Sequence, residues 1–584
     1  MRDKTKPRAR RKPSRREPSR REPSGREPSG RGPSGRGWLP LLVLCIVVPA
    51  AIAGLIAHYL LLSRGMAGEF GLPLDDSWIH VRFAQNLARG EGFAFNHGEP
   101  TSTTTGALWT LLLAGAYRLT GEYLFTGIAI NWVLCVLLCV VVYSLTLTLA
   151  RSRWLAVAAA GTVAVTIPLP WWALSGMEPP LYGLLALLGV LLHIRLRRAS
   201  LVLGLLPTVV FALAGLARPE CLLFFPLSMI DRAVLSLWPE RTRHWLSRWA
   251  KDLALHVPLF VLIVAPLFVY NYRVTGYPLP TSYYSKLQWM SAAGALATDR
   301  VSLSSALIVG PGKEVWEVLV TWGRNNILLL LTFFVGLGWI IHKARSPQPG
   351  ENPSLLIPMV LLVRPVAWAV VAGYRPPGFQ SQRYLADLNP LFLVLGLIGG
   401  WWITERVSAL RRPLARAGLL LAVLAVSLAR QPAVATTYAE NVRDTTQMHV
   451  EIGRWVRDNT PPDALLAVND VGAIGVISGR RVLDLQGLVT PEILPRRDME
   501  HRVAATAPQA VFEFIAGYRP DYLIIFPAWY PELDQRRDLF TPVFGVALKE
   551  NITAGSPVML AYRTIWAEPA EGEQSQDEAG QASP

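Results

Sequence analysis

Two adjacent carboxylates, Asp75 and Asp76, open the stretch Leu74-Asp75-Asp76-Ser77-Trp78-Ile79-His80-Val81-Arg82-Phe83. Adjacent ionised carboxylates repel, so one of the pair can keep its proton to higher pH and serve as a general base. The same pair could bind a divalent cation, magnesium or manganese, with Asp76 as a contact. It could also do no chemistry and simply let Asp76 cap a helix N-terminus. His80 and Arg82 lie close enough along the chain to steer the acids.

Four other short stretches combine charge with aromatic or turn residues. They are Ser175-Gly176-Met177-Glu178, Ala217-Arg218-Pro219-Glu220, the run from Gly276 to Lys286 (G-Y-P-L-P-T-S-Y-Y-S-K), and Gln382-Arg383-Tyr384. Arginine presents a planar fork that fits phosphate or carboxylate oxygens. Arg218 and Arg383 could also pair with nearby Glu220 and Asp387, and Glu178 could cap a helix. Tyr283, Tyr284 and Trp289 suit sugar stacking as well as an interfacial aromatic belt.

What must position these stretches is a membrane module. Of 584 residues, 51% are hydrophobic and 17% charged. A soluble domain carries roughly 25% charged residues. From Leu39 to Leu62 there is one His and no other ionisable side chain except Cys45 and Tyr59, enough to cross a hydrocarbon layer of roughly 30 Å. Further apolar runs fall at 123–150, 154–170, 180–194, 201–217, 220–238, 254–271, 326–341, 353–372, 388–404 and 413–430. With 38–63 they predict about eleven spans. Segment 106–120 is apolar but short for a span and reads as a juxtamembrane or re-entrant helix.

The net charge of +15 fits the positive-inside rule better than nucleic-acid binding. Within the basic tail 1–37, residues 16–37 repeat REPSR/REPSG-like units rich in Arg, Pro and Gly, a composition that predicts a disordered cytoplasmic tail resting on membrane lipids. With eleven spans, Arg151/Arg153, Arg195/Arg197/Arg198, the 240–251 stretch, His342/Lys343/Arg345 and Arg406/Arg411/Arg412/Arg416 all fall on the cytoplasmic side. If 106–120 crossed as well, these basic loops would lie outside and break the rule. The same parity gathers the acid-, base- and aromatic-bearing loops on the outer face. From 431 the chain turns polar, with short apolar strands such as Ala464–Val468 and Tyr522–Phe526 and helical stretches such as His449–Arg457. It predicts an extracytoplasmic α/β domain over 431–568, followed by a disordered tail at 569–584. Gly472 and Gly475 predict a tight turn there. The fold class is therefore an α-helical polytopic protein of the cell membrane with a C-terminal α/β domain.

The stretch from Asp75 to Pro100, D-D-S-W-I-H-V-R-F-A-Q-N-L-A-R-G-E-G-F-A-F-N-H-G-E-P, resembles the first outer loop of GT-C glycosyltransferases. It is most similar to the bacterial arabinofuranosyltransferase-like branch. That branch carries DD-x-(F/Y)-I-x-x-R-(Y/F) and then N-L-x-x-G-x-G-x-x-(F/Y)-N. S-G-M-E, R-P-E (Arg218–Glu220), the Gly276–Lys286 run and Q-R-Y-L (Gln382–Leu385) are also similar to it. So are N-D-V-G-A-I-G (Asn469–Gly475) and V-L-D-L-Q-G-L-V (Val482–Val489). The chain departs from the branch at Thr101-Ser102-Thr103-Thr104-Thr105-Gly106-Ala107-Leu108-Trp109, where the family has a G-Y-T-S-P-L-W type segment.

The resemblance implies a polyprenyl-phosphate-sugar donor, a cell-envelope glycan or lipid acceptor, and inverting transfer on the outer face. Asp75 or Asp76 would then be the base. His80, Arg82, Glu178, Arg218, Lys286, Arg383 and Tyr384 would bind substrate, with the cations at the lipid phosphate. Two other readings stand beside it, a transporter or flippase of lipid-linked glycans and a non-catalytic scaffold. The spans are nearly free of acids, which disfavours a transport route through them.

Overall fold

The computed structural model describes residues 38–197, 199–236, 245–290, 304, 308–347, 354–371, 376–495 and 507–567. The basic N-terminal repeats, Arg198, the 241–243 part of the basic loop, and the C-terminal tail fall outside these residues, as do the side chains of Arg248, Lys286 and Trp289.

The eleven apolar runs are mostly helical over the residues described, with the run 154–170 broken at 165–167. Among the described residues, five helices are long and apolar enough to cross a membrane: Leu39–Ala67, Leu124–Ala150, Trp249–Thr275, Ile327–Arg345 and Arg412–Asn459. Two bent pairs join them if each counts as one span. Arg153–Ala164 meets Pro168–Leu174 at 58°, and Phe379–Leu385 meets Asn389–Thr404 at 80°. Pro179–Arg195, Leu201–Ala217 and Leu356–Val371 are apolar but shorter. The chain is a multi-pass membrane protein. Its exposed positions include Leu61, Leu262, Leu331, Leu362 and Leu421, which suits a surface solvated by hydrocarbon rather than water.

Packing between the helices relies on close approach, as it must where lipid removes the hydrophobic drive for association. Ile327–Arg345 lies along Asn389–Thr404 so closely that a methyl at Gly336 would run into the Leu395 carbonyl. The segment at 106–120 is a 14-residue helix, Ala107–Thr120, whose buried face includes Trp109, Thr110 and Leu113.

The helix Arg412–Asn459 does not stop where its apolar part ends. Its 48 residues would reach about 72 Å at 1.5 Å per residue, more than twice the hydrocarbon thickness. The apolar half, Arg412–Ala429, suffices for a span. The polar half beyond Arg430 runs on as the first helices of the C-terminal domain.

That domain holds a five-stranded sheet: β1 (Leu465–Val468), β2 (Arg481–Asp484), β3 (Tyr522–Ile525), β4 (Phe540–Ala547) and β5 (Val558–Thr564), in the order β2-β1-β3-β5-β4. β1 pairs parallel with β2 and β3, while β5 runs antiparallel to β3 and β4. Crossover helices Gly472–Ser478 and Ala507–Tyr518 separate the parallel strands. One face of the sheet buries Phe514, Ile515, Leu523 and Ile525. The other buries Leu466, Val468, Ile474 and Ile524 together with Phe83 and Phe95 from the first loop. The domain core therefore includes side chains of the membrane module.

The expected tight turn at Gly472 and Gly475 is instead the start of the helix Gly472–Ser478. Both glycines serve close approach. A side chain at Gly472 would strike the backbone carbonyl of Asp75, and one at Gly475 the ring of Phe95.

Candidate active site

Asp75 and Asp76 form the first turn of the helix Asp75–Ala88, where negative charge is favoured by the helix dipole. Successive residues of a helix are separated by about 100°, so the two carboxylates face different ways. Asp76 shares its face with His80 one turn on, and Asp75 lies nearer that of Arg82.

Asp75 turns to the C-terminal domain. Its Oδ2 accepts from the amide of Gly472 at 2.8 Å and its Oδ1 from Ala473 at 2.7 Å, capping the helix Gly472–Ser478. Burial, opposed by nearby His449 and reinforced by the charge of Asp470, pushes its carboxyl up to about 6. His449 Nε2 lies 2.9 Å from Asp470 Oδ2. Although burial works against it, Asp470 and Asp75 hold the imidazole above its usual range. Arg82 donates through Nε to the Phe95 carbonyl at 3.0 Å, supporting the first loop rather than joining a charge cluster.

Asp76 turns the other way and meets Arg383, with 2.7 Å between Oδ2 and Nη2. The same Nη2 reaches the Tyr384 hydroxyl at 2.9 Å. The Tyr384 ring lies against two guanidiniums, Arg218 at 4.7 Å and Arg383 at 4.9 Å from its centroid. Arg218 pairs through Nη1 with Glu178 and through Nε with Glu220 at 3.1 Å. Glu178 is fully buried. Burial would raise its carboxyl, yet Arg218 and His80 together hold it well below the usual carboxylate range. His80 Nε2 lies 3.3 Å from Glu178 Oε2. Nδ1 of His80 faces the hydroxyls of Thr104 and Thr110, each at 3.3 Å.

The loops that carry these groups are tied to one another. Ser77 Oγ donates to the Ser175 carbonyl at 2.6 Å, Trp109 Nε1 to Gly176 at 3.0 Å and Asn131 Nδ2 to Met177 at 3.1 Å. Gly176 needs its positive φ of 69° for this turn. Thr281 N donates to Ser102 O at 3.1 Å, and Ser282 Oγ to Thr103 O at 2.7 Å. Asp484 gathers the amides of Gln486 (2.7 Å), Leu488 (2.5 Å) and Val489 (2.9 Å) into a turn. The Leu488 carbonyl of that turn accepts from Thr281 Oγ1 at 2.5 Å and also from Thr103 Oγ1. The departing threonine segment thus connects the domain to His80.

The structure brings together Asp76, His80, Glu178, Arg218, Arg383 and Tyr384 and leaves Asp75 and Arg82 outside that cluster. Lys286 lies on the helix Thr281–Met290, with its side chain outside the described residues. Among the described residues no three His, Cys, Asp or Glu side chains converge to hold a metal ion. The expected metal contact does not fit the arrangement, since Asp76 faces an arginine and its neighbouring carboxylate points away.

Sequence reasoning missed Tyr182, whose hydroxyl donates to the Arg383 carbonyl, and Arg364. The latter is a buried arginine inside an apolar helix, paired with Asp387 at 3.1 Å. An arginine within an apolar run is itself a functional signal.

Helices bend around a charge cluster, and a C-terminal α/β domain docks on the same loops. Solved structures carry the same fold at low sequence identity. ArnT from Cupriavidus metallidurans, bound to undecaprenyl phosphate, aligns with a TM-score of 0.54 at 12% identity over 92% of this chain and 100% of that one. The archaeal oligosaccharyltransferase AglB from Archaeoglobus fulgidus, in complex with an inhibitory peptide and a dolichol-phosphate, aligns at 0.52 and 11% over 89% and 75%. A complex of the Archaeoglobus fulgidus oligosaccharyltransferase with zinc and sulfate aligns at 0.53 and 12% over 89% and 74%. Residues 437–567 match a family described as Domain of unknown function (DUF8728). A sequence comparison with curated proteins gives no match.

Proposed function

We propose that this protein is a membrane glycosyltransferase that moves a sugar from a polyprenyl phosphate to a hydroxyl of a cell-envelope glycan or lipid, on the extracytoplasmic face and with inversion. Asp76 is the general base, and Arg383 with Arg218 receives the lipid phosphate. The observation that carries this is the contact of Asp76 with Arg383 at 2.7 Å, which sets a base beside a phosphate-binding fork.

The chemistry follows from that pairing. The acceptor hydroxyl gives its proton to Asp76 as its oxygen bonds to the anomeric carbon. The bond from that carbon to the phosphate oxygen breaks on the opposite face, and the electron pair leaves on the lipid phosphate. The phosphate gains a second negative charge, which fixed guanidiniums stabilise more than they stabilise the donor. While no donor is bound, Arg383 occupies the Asp76 carboxylate. A donor phosphate competes for that guanidinium and frees the base as the substrate settles. Glu178, held ionised by Arg218 and His80, keeps Arg218 oriented.

The fold likeness to proteins bound to undecaprenyl phosphate and dolichol-phosphate supports the donor class. The test is to give purified protein in lipid a panel of radiolabelled polyprenyl-phospho-sugars with envelope glycan and lipid acceptors. Consumption of one donor with appearance of a labelled acceptor is the expected result. No consumption of any donor counts against the reading.

A further inference from the structure

The bend that delivers Arg383 is built on three consecutive left-handed residues, Gln380 (φ 46°), Ser381 (φ 52°) and Gln382 (φ 62°). None is glycine, so each is held in a conformation that L side chains disfavour. A strained run of this kind persists only where its surroundings over-determine it.

The surroundings here are specific. Trp172 Nε1 donates to the Ser381 carbonyl at 3.0 Å. The Tyr182 hydroxyl takes the Arg383 carbonyl. Arg364 Nη2 takes the Tyr384 carbonyl at 2.7 Å. The buried Gln382 carboxamide is gripped by two others. Asn325 donates to it at 2.8 Å and accepts from it at 3.0 Å, and Asn389 Nδ2 donates to it at 3.1 Å. These partners come from five helices. The carboxamides cannot act as acid or base at neutral pH. What they fix is the backbone immediately before Arg383.

We propose that Asn325, Gln382 and Asn389, with Arg364, are positioning residues that hold this strained turn so that Arg383 is aimed at the donor phosphate before the donor arrives. The inference rests on the role given to Arg383 above. A guanidinium aimed in advance loses little freedom on binding, and a misplacement of about 1 Å can slow the reaction by about 10²-fold.

The test uses the full chain in lipid nanodiscs and polyprenyl phosphate as the probe, reading its affinity and the Tm of each variant. Asn325→Ala should weaken polyprenyl phosphate binding about tenfold, since it frees one side of the clamp. Ser381→Gly lowers the strain at one of the three residues and leaves every clamp partner in place, so it should hold or raise Tm and keep wild-type binding. Combined with Asn325→Ala it should recover stability without recovering affinity, a separation that a merely structural role would not give. If Asn325→Ala binds like wild type, or if the double variant regains affinity along with Tm, the clamp proposal is overturned. If the wild type itself binds no polyprenyl phosphate, the donor reading falls first and the clamp's role with it.

Discussion

Asp75 and Asp76 are neighbours in sequence and opposites in structure: the first is held by the amides of Gly472 and Ala473, the second by the guanidinium of Arg383. One turn of helix thus ties the C-terminal domain to the charge cluster in the membrane module. Docking of the domain and placement of the candidate base rest on the same helical turn.

That link can be strained from the domain side. Gly472→Ala puts a methyl against the Asp75 carbonyl, an overpacking change expected to destabilise by about 1–3 kcal/mol. The sheet core is untouched, so the loss should appear at the contact. Hydrogen exchange at Gly472–Ser478 and Asp75–Ala88 should rise while β1, β3 and β5 stay protected. Unchanged exchange in both helices contradicts the coupling.

Stability should fall as pH rises across this contact. Asp75 has a folded value of about 6, above the ordinary value for an aspartate, so the folded state binds more protons between roughly pH 4 and 6. Its contribution is greatest below the unfolded value and declines as pH rises through 6. His449 is also raised, so the stability it adds is present below about 6.5 and lost as pH rises through its higher folded value. Both slopes have the same sign. A Tm series from pH 4 to 8 should decline, and His449→Gln should flatten the part above 6.5.

The buried ion pair predicts non-additivity. Glu178→Gln leaves Arg218 buried with only Glu220 as an anionic partner and should destabilise by about 3–5 kcal/mol. Replacing Arg218 alone strands Glu178 in the same way. The double variant Glu178→Gln/Arg218→Gln strands neither and should lose less than the sum of the singles. Thermal denaturation in detergent of the four proteins decides it, and strict additivity contradicts the pair.

Much of this was legible beforehand, and the reasons are physical. Runs such as Leu39–Leu62 are set by the thickness of the bilayer, and the apolar runs found by length are mostly helical, the run 154–170 being broken at 165–167. Charge parity gathered Glu178, Arg218 and Arg383 with Asp76, because loops on one membrane face can converge. What could not be read was direction within an element. Arg82 shares a motif with His80 but lies on another face of the same helix, and Asp75 separates from Asp76 for the same reason. The left-handed turn at Gln380–Gln382 left no trace because glutamine and serine do not announce positive φ as glycine does. Arg364 was passed over because the span around it is otherwise apolar. The C-terminal domain boundary looked sharp where polarity changes at 431, whereas the helix runs on and the first loop enters the domain core.

The most direct test compares Asp76→Asn with Asp75→Asn in sugar transfer from the donor the wild type consumes, with folding checked by Tm. Asp76→Asn should fold and bind donor yet lose transfer by about 10²–10⁴-fold, the contribution of a general base. Asp75→Asn should retain substantial transfer, with its defect appearing chiefly in stability and in the pH dependence of Tm. Full activity in Asp76→Asn, or loss of transfer confined to a well-folded Asp75→Asn, would contradict the assignment.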